Sequence, residues 1–332
     1  MRDVLEQLEG WLAKGERAAL ATVVETRRSA PRPLGSRLAI SESGLLYGSV
    51  SGGCVEADVA LQAREVIASG EPLLLPYGIA DEDARSVGLP CGGEIDVFVA
   101  PAPDRDLIAQ LRRAVEEGAR GRLTTVVAGS GAGEMRIELD GGETAEHPAL
   151  VREEGVTLFV EPLGPPLLLL IIGAVDLAEA LSRIASQLGW RTAVADPRRS
   201  LLTAERLPSA GSLIDGWPED ALARVGTDEQ TAVLVLAHDD KIDIPALSWA
   251  LRSDAFYVGA LGSRRTQAKR RERLSEEGLS DAELARLSGP AGLDIGGDTV
   301  EETALSILAE IVAVRRARDG GRLRDAEAAI HS

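Results

Sequence analysis

Two cysteines in glycine-rich stretches have the clearest potential for chemistry in this sequence. Cys54 ends the stretch Ser51-Gly52-Gly53-Cys54, directly before residues with helical periodicity, and Cys91 is followed by Gly92 and Gly93. Glycine lets the backbone approach a ligand closely, and a helix start favours an anion such as a phosphate or a thiolate. The spacing therefore predicts two turns that could bind an anion or a metal. The alternative is a pair of buried thiols that act as small hydrophobes, as most free cysteines do.

Basic residues lie beside two predicted turns. Arg28 and Arg32 belong to a loop in which two prolines prevent regular structure, and they are candidates to add positive charge near the Cys54 turn. Arg264 and Arg265 follow Gly262 and Ser263 at a predicted strand-to-helix turn, where free amides already favour an anion. The sequence thus predicts a second anion site at Gly262–Arg265.

The stretch from Gly173 to Asp176 lies where a dinucleotide-binding fingerprint belongs, between the apolar run Leu167–Ile172 and a predicted helix. Val175 stands in place of the central glycine, and Asp176 adds negative charge where an anion would bind. Asp196 ends the next predicted strand 23 residues after Gly173, at the usual place of the ribose-binding acid. We expect a Rossmann-type domain with a lost or altered nucleotide site, in which Gly173 and Asp196 are candidate cofactor contacts.

His238 follows a predicted central strand, Thr231–Ala237. Ligands of parallel α/β sheets bind at the carboxyl ends of the strands, so His238 is a further candidate contact, although a lone histidine is more often structural. His147 and His331 fall in a loop and at the tail. The sequence therefore offers no convincing histidine pair for a metal.

The elements that must position these residues differ between the two halves. Residues 1–163 predict an α/β domain with a mixed sheet, 164–166 a Pro-Pro linker, and 167–320 a Rossmann-like domain with a doubly wound parallel sheet. The first half contains predicted strands and helices at 4–12, 18–26, 37–41, 45–50, 55–68, 94–100, 104–118, 123–128, 135–139 and 157–161. In the second half, strands at 167–172, 191–195, 231–237 and 255–261 alternate with helices at 176–188, 244–252, from 263, and 300–318.

Composition excludes several classes of function. The chain has 332 residues and a formal net charge of −17, which argues against nucleic acid and anionic membranes as partners. Two cysteines without a CxxC spacing exclude a four-cysteine zinc site and argue against a disulfide framework. No apolar run approaches 18 residues, so we expect no membrane insertion and a cytoplasmic protein.

Six motifs occur along nearly the whole chain: Ala21–Thr26, Ser29–Pro33, Gly48–Glu56, Gly88–Gly93, Gly259–Thr266 and Gly292–Gly296. In this order they resemble the XdhC/CoxI family of accessory proteins that mature molybdenum hydroxylases. The sequence departs from the family where its Gly-Ala-Gly-His run reads Gly173-Ala174-Val175-Asp176. That departure puts in doubt any contact normally made there.

The resemblance implies a non-catalytic chaperone. It would bind the molybdenum cofactor (molybdopterin) as cargo, present it to a cysteine desulfurase for sulfuration, and hand it to an apo molybdenum hydroxylase of the xanthine dehydrogenase or CO dehydrogenase type. It also implies a homodimer. Cys54 and Cys91 become candidate contacts to molybdenum, since soft thiolates suit that metal. The remaining candidate cofactor contacts are Arg32, Ser51, Gly52, Gly53, Gly92, Gly173, Asp196, His238, Gly262, Ser263, Arg264 and Arg265.

Two other functions stay open from the residues. The βαβ pattern and Asp196 would suit an NAD(P)-dependent oxidoreductase with its nucleotide on the C-terminal domain. Cys54 could instead be the nucleophile of a transferase or hydrolase, with His238 as its base.

Overall fold

A computed structural model describes residues 1–28, 30–78, 93–139 and 147–325. These residues divide into two compact units, Met1–Pro165 and Pro166–Asp325, so the boundary falls inside the stretch predicted as a linker. Among the described residues, no helix is both long and apolar enough to cross a membrane.

The first unit contains two antiparallel sheets. Its elements are α1 (Arg2–Ala13), β1 (Ala18–Arg27), β2 (Arg37–Ser41), β3 (Leu46–Gly48), α2 (Glu56–Ser69), β4 (Leu73–Tyr77), β5 (Glu94–Pro101), α3 (Arg105–Glu116), β6 (Gly121–Gly129), β7 (Met135–Leu139), β8 (Ala149–Glu153) and β9 (Val156–Leu163). In the described part of the chain, one sheet has the order β3-β2-β1-β5-β4 and the other the order β7-β6-β9-β8. α2 packs on β1 and β5 through Val59, Ala63 and Val66, while α1 covers β2.

The second unit is a parallel sheet between helices. Its elements are β10 (Leu168–Ile172), α4 (Asp176–Gln187), β11 (Arg191–Asp196), β12 (Ser212–Asp215), α5 (Pro218–Val225), β13 (Thr231–Val235), α6 (Asp240–Arg252), β14 (Tyr257–Ala260), α7 (Arg264–Glu276), α8 (Asp281–Ala285), β15 (Leu287–Ser288) and α9 (Val300–Arg315). The strand order is β12-β11-β10-β13-β14-β15 and every described pair is parallel. All five residues of β10 are buried, as expected for a central strand with helices on both faces.

The predicted fold class is confirmed, with one difference in the first unit. A mixed sheet was expected there, but the sheets are antiparallel: each described strand runs in the opposite direction to the neighbours with which it pairs. β4, β8, β12, β15, α5 and α8 were not predicted. They are short, and β8 and β12 are exposed or half-buried along their length, so their sequences carry little hydrophobic periodicity.

Helix α9 begins as its sequence predicts. The Thr299 hydroxyl accepts a hydrogen bond from the Glu302 amide, and the Glu302 carboxylate accepts one from the Thr299 amide. This reciprocal capping box satisfies two amides that a helix start leaves free.

Candidate functional site

The Cys54 turn connects β3 to α2, and two glycines shape it. Gly52 and Gly53 have φ values of +77° and +116°, a backbone region that other residues rarely adopt. Ser51 is buried, whereas Gly52, Gly53 and Cys54 are exposed, and the Cys54 thiol is free. The turn therefore presents its thiol to solvent at the start of a helix.

The Glu56 carboxylate holds this turn together from the first position of α2. Its Oε1 accepts hydrogen bonds from the Ser49 hydroxyl (2.6 Å), the Val50 amide (3.1 Å) and the Ser51 amide (2.9 Å). Its Oε2 accepts from the Ser51 hydroxyl and the Gly53 amide (2.8 Å). Burial opposes the charged form, but these hydrogen bonds prevail and lower the pKa of Glu56 to about 2. The carboxylate is therefore ionised at any physiological pH.

An anion thus already occupies the amides of the Cys54 turn, and that anion is Glu56 itself. The sequence predicts an anion-binding turn here, and the structure shows three of its amides bound to an internal carboxylate. Sequence reasoning did not single out Glu56. The available signal was its position as the first acid after a glycine-rich stretch whose backbone amides need an acceptor.

No contact joins Arg28 or Arg32, the arginines predicted to add charge near this turn, to residues 49–56 among the described residues, and their surroundings differ. Arg32 is exposed on the loop after β1. Arg28 lies 3.6 Å from the Glu94 carboxylate at the start of β5, and the neighbouring Arg27 pairs with Glu94 and Asp96. The charge of Arg28 is therefore partly balanced by acids of the same sheet.

The second cysteine turn, with Cys91 and Gly92, lies outside the described residues. The structure does describe how α2 meets the strand that precedes that stretch, since the Tyr77 hydroxyl donates a hydrogen bond of 2.7 Å to Asp58. Across the described residues, no group of three or more His, Cys, Asp or Glu side chains is arranged to hold a metal ion.

The candidate residues of the second unit meet at one edge of its sheet. Gly173, Asp196, His238 and Gly262 each stand at or just beyond the carboxyl end of a parallel strand. The strand order reverses between β10 and β13, and this switch point is where open α/β sheets bind their ligands. The structure therefore gathers these candidates where the fold predicts a site.

Gly173 and His238 lie on the two sides of the switch point. Gly173 has a φ of +116°, and a Cβ atom there would lie only 2.7 Å from the Ala237 amide nitrogen, so the two turns approach closely. His238 is exposed and has a φ of +56°, which is uncommon for a residue other than glycine. A backbone held in a sparsely populated conformation often marks a functional turn.

Asp196 is fully buried and its carboxylate is occupied from within the unit. The carboxylate accepts hydrogen bonds from the amides of Ala174 (2.7 Å) and Arg198 (2.8 Å) and from both ends of the Arg198 guanidinium (2.9 and 2.7 Å). Although burial raises the pKa of Asp196, these donors outweigh it and the net pKa is lowered. Sequence reasoning placed Asp196 correctly at the strand end but did not anticipate that Arg198 binds it.

The chain after Arg198 packs over the start of α4. Arg206 pairs with Asp176 at 2.9 Å, and Ser209 donates hydrogen bonds to Glu179. Leu207 is buried in the core beneath. The chain after Arg198 is therefore held against the first turns of α4 by its own side chains.

The Gly262–Arg265 turn stays open to solvent. Gly262 has a φ of +133°, and the Ser263 hydroxyl caps α7 by accepting from the Thr266 amide (3.2 Å). Arg264 and Arg265 are exposed in the first turn of the helix. Two positive charges therefore stand at a positive helix end, which is favourable for an anion.

A buried ion pair supports this turn from below. Arg270 of α7 and Asp243 of α6 are 3% and 1% exposed, and they are joined by a hydrogen bond of 2.6 Å. Arg270 also donates to the Leu261 carbonyl, just before Gly262. Burial raises the pKa of Asp243 even though Arg270 opposes it. The pair ties the first turn of α6 and the middle of α7 to the chain just before the turn.

Strand order and register define the second unit as a Rossmann-type domain, joined in one chain to an antiparallel α/β unit. The chain belongs to the XdhC and CoxI family: the model of that family matches residues 11–78, and the model of the XdhC Rossmann domain matches residues 169–311. The predicted family resemblance is therefore confirmed.

Relatives of known name match over almost the whole chain. The molybdenum cofactor insertion chaperone PaoD of Escherichia coli (strain K12) is 31% identical over 92% of this chain and 85% of its own length. A probable xanthine dehydrogenase subunit of Bacillus subtilis (strain 168) is 28% identical over 93% of this chain and 96% of its own. The crystal structure of a xanthine dehydrogenase from Bacillus halodurans superposes with a TM-score of 0.77 at 25% identity, covering 97% and 98% of the two chains.

Proposed function

We propose that this chain is a molybdenum-cofactor insertion chaperone that serves a molybdenum hydroxylase of the xanthine dehydrogenase type. The observation that carries the proposal is the 31% identity with the insertion chaperone PaoD, which extends over 92% of this chain. Because the likeness spans both units, it bears on a function of the whole chain rather than on a shared Rossmann fold alone.

Cys54 is the proposed contact to the molybdenum end of the cargo. Its thiol is free and exposed, on a turn that Glu56 fixes through five hydrogen bonds. A thiolate is a soft ligand suited to a metal that the cofactor already holds through sulfur. Cys91, the other thiol of the chain, is proposed as a second contact on the ground of its sequence.

A separate anion site is proposed in the second unit, whereas in the first unit Glu56 already occupies the amides of the Cys54 turn. The open turn at Gly262–Arg265 suits a phosphate because Arg264 and Arg265 add two cations to the helix start. The other proposed contacts are Arg32, Gly173, Asp196 and His238. Because Arg198 binds the Asp196 carboxylate, Asp196 would have to act on a ligand through Arg198.

The finer steps are also proposals. A cysteine desulfurase would supply the sulfur that replaces one oxygen ligand of the molybdenum while the cargo is held on this chain. The apo-hydroxylase, of the xanthine dehydrogenase or CO dehydrogenase type, would then take the sulfurated cofactor. The chain would work as a homodimer in the cytoplasm.

The test is retention of the cargo. The protein is produced in cells that make the cofactor, and molybdenum and pterin are measured per chain after purification. Wild type should retain both, and the pair Cys54→Ala with Cys91→Ala should lower retained molybdenum by about tenfold or more, the loss common when a metal's environment is altered. Ser69→Ala, at the far end of α2, is the matched control and should leave retention unchanged.

Two results would contradict the proposal. The first is a wild-type protein without molybdenum or pterin. The second is a cysteine pair variant that retains as much of both as wild type does. Hand-over is tested separately, because loaded wild-type protein should activate a purified apo-hydroxylase and unloaded protein should not.

An NAD(P)-dependent oxidoreductase is the other candidate; the Rossmann-type fold suits it, but the contacts at the switch point count against it. Arg198 holds the acid that would bind a ribose, Val175 replaces the glycine that would admit a pyrophosphate, and residues 198–209 cover the start of α4. Calorimetric titration with NAD(H) and NADP(H) at millimolar concentration should show no binding, and a clear isotherm would restore this candidate.

A further inference from the structure

The two peptide carbonyls that precede the Gly262–Arg265 turn point into the protein. The Leu261 carbonyl accepts a hydrogen bond of 3.0 Å from Nη1 of Arg270, and the Ala260 carbonyl accepts one of 3.0 Å from Nε2 of Gln267. Both donors belong to α7, the helix that follows the turn, and both are buried. Side chains from inside the second unit therefore fix the direction of these two carbonyls.

The direction of a carbonyl also fixes the direction of the next amide. In a planar trans peptide the C=O and N–H bonds point in opposite directions. Because the Leu261 carbonyl points toward Arg270, the Gly262 N–H of the same peptide points away from that buried side chain. Within the part of the chain that the structure describes, the Gly262 amide donates no hydrogen bond. The turn thus presents a free, oriented donor beside the exposed Arg264 and Arg265.

Gln267 keeps Arg270 in the position from which it reaches the turn. Oε1 of Gln267 accepts a hydrogen bond of 3.1 Å from Nη1 of Arg270, the same nitrogen that binds the Leu261 carbonyl. The Gln267 side chain lies in a narrow space beside Gly289, where a Cβ atom would come within 2.6 Å of Oε1. Neither end of the Gln267 amide is therefore free to turn away from its partner.

The ion pair of Asp243 with Arg270 is a costly support for a turn. Asp243 binds Nη2 of Arg270 at 2.6 Å, yet Oδ1 of Asp243 and Nε of Arg270 are buried without a hydrogen-bond partner among the described residues. Buried polar atoms left unpaired cost free energy, and an apolar pair of similar volume is often at least as stable. An apolar pair could not hold the Leu261 carbonyl, so the position of the guanidinium explains why the charges are there.

We infer that Arg270 is a positioning residue, which aims the Gly262 amide at an oxyanion bound at the Gly262–Arg265 turn. Asp243 and Gln267 hold Arg270 for this task. The ligand class is an oxyanion such as phosphate, because backbone N–H groups and guanidinium groups bind its oxygens together. This role rests on the phosphate site proposed above, and it adds to that site a backbone donor and the buried side chains that orient it.

Titration with inorganic phosphate, followed by nuclear magnetic resonance of the isotope-labelled full chain, tests this role. Ionic strength is held constant with sodium chloride, because salt screens the exposed guanidinium groups. In wild type the amide resonance of Gly262 should shift until the site is saturated, together with the amide resonances of Arg264 and Arg265.

Replacing the ion pair with apolar residues removes the support but leaves no charge buried alone. The double variant Asp243→Leu with Arg270→Met is therefore expected to fold, as such exchanges often do. It should weaken phosphate binding about tenfold, the factor expected for one hydrogen bond to a charged group, and the shift of the Gly262 amide should shrink. Arg270→Lys keeps the charge but offers a single ammonium group, so its affinity should lie between the two. That variant also supplies the comparison if the double variant does not fold.

A buried ion pair of the first unit provides the matched control. Arg37 and Glu161 are both buried and bind one another. Arg37→Met with Glu161→Leu removes a pair of the same kind from a place without a proposed anion site, and it should leave phosphate binding unchanged. Urea unfolding of each double variant shows whether it remains folded.

Two results would overturn the role of Arg270 and leave the anion site in place. In one, phosphate shifts the amides of Arg264 and Arg265 in wild type but not that of Gly262. In the other, the folded variants of Arg270 bind phosphate as tightly as wild type does. A wild type that binds no phosphate at the turn would overturn both the phosphate site and the role of Arg270. Retention of molybdenum and pterin still judges the chaperone function separately.

Discussion

Replacing Glu56 with glutamine should loosen the Cys54 turn without unfolding the first unit. In Glu56→Gln one oxygen remains as an acceptor, while an amide nitrogen takes the place of the other and faces donors. If that nitrogen stands at Oε2, the Ser51 hydroxyl and the Gly53 amide lose their acceptor. Each hydrogen bond to a charged group is worth about 1.5–3 kcal/mol when buried, and the partial exposure of Glu56 reduces this. We expect a cost of about 1–2 kcal/mol at pH 7.

The same cost should depend on pH in a defined direction. The pKa of Glu56 falls from an ordinary value of 4.5 to about 2 in the folded chain. A depressed pKa means that the stabilisation is complete above the unfolded value and is lost as the pH falls through the folded value. Glutamine does not titrate, so the difference between wild type and Glu56→Gln should be constant from pH 7 to about pH 5 and should shrink toward pH 2.

Amide hydrogen exchange at the turn is the direct assay. A cost near 1.4 kcal/mol should accelerate exchange at Ser51 and Gly53 about tenfold, because tenfold corresponds to that free energy. The rate at which the Cys54 thiol is alkylated, measured on the same samples, should also change as the turn loosens. Glu65→Gln, an exposed acid on the same helix, is the control and should change neither. Unchanged exchange at both amides in Glu56→Gln would refute the role given to this carboxylate.

Two further predictions concern the second unit. Gly173→Ala should destabilise it by at least about 2 kcal/mol, since the new methyl group would strike the Ala237 amide at a φ of +116°; urea unfolding indistinguishable from wild type would contradict the close approach of the two turns. Asp243→Asn leaves Arg270 charged and buried without a counter-ion and should cost about 3–5 kcal/mol. Tryptophan fluorescence can follow both, and a loss under 1 kcal/mol for Asp243→Asn would show that water already solvates the pair.

Hydrophobic periodicity predicted the elements that are long and buried. β10 and β13 are buried throughout, and α2 and α9 keep a helical spacing, so the predicted bounds lie close to the observed ones. The Rossmann-type half followed from strands that alternate with helices. The order of the strands in that sheet could not be predicted. It depends on the face of the sheet over which each connection crosses, and this is determined by contacts between residues far apart in the sequence.

The candidate site was predictable in location but not in its internal contacts. Asp196, His238 and Gly262 were expected at strand ends and lie there, since position along the chain fixes which edge of a parallel sheet a residue reaches. The pairing of Asp196 with Arg198 and the binding of Glu56 to its own turn depend on side-chain geometry within a few ångströms. Such contacts do not produce a repeating pattern of residue types in the sequence.

The internal carboxylate at the Cys54 turn has a consequence for any ligand that binds there. A glycine-rich loop without its own anion commonly becomes ordered only when a ligand binds. The entropy lost in ordering the loop then weakens the binding. Glu56 supplies an anion to this loop from within the chain, so the hydrogen bonds that order the loop do not depend on a ligand. Arrival and departure of a ligand then require no refolding of the loop in either direction, so both can be fast at equal affinity. For the chaperone proposed above, a loop ordered by its own carboxylate would let a ligand enter and leave without a change in the loop.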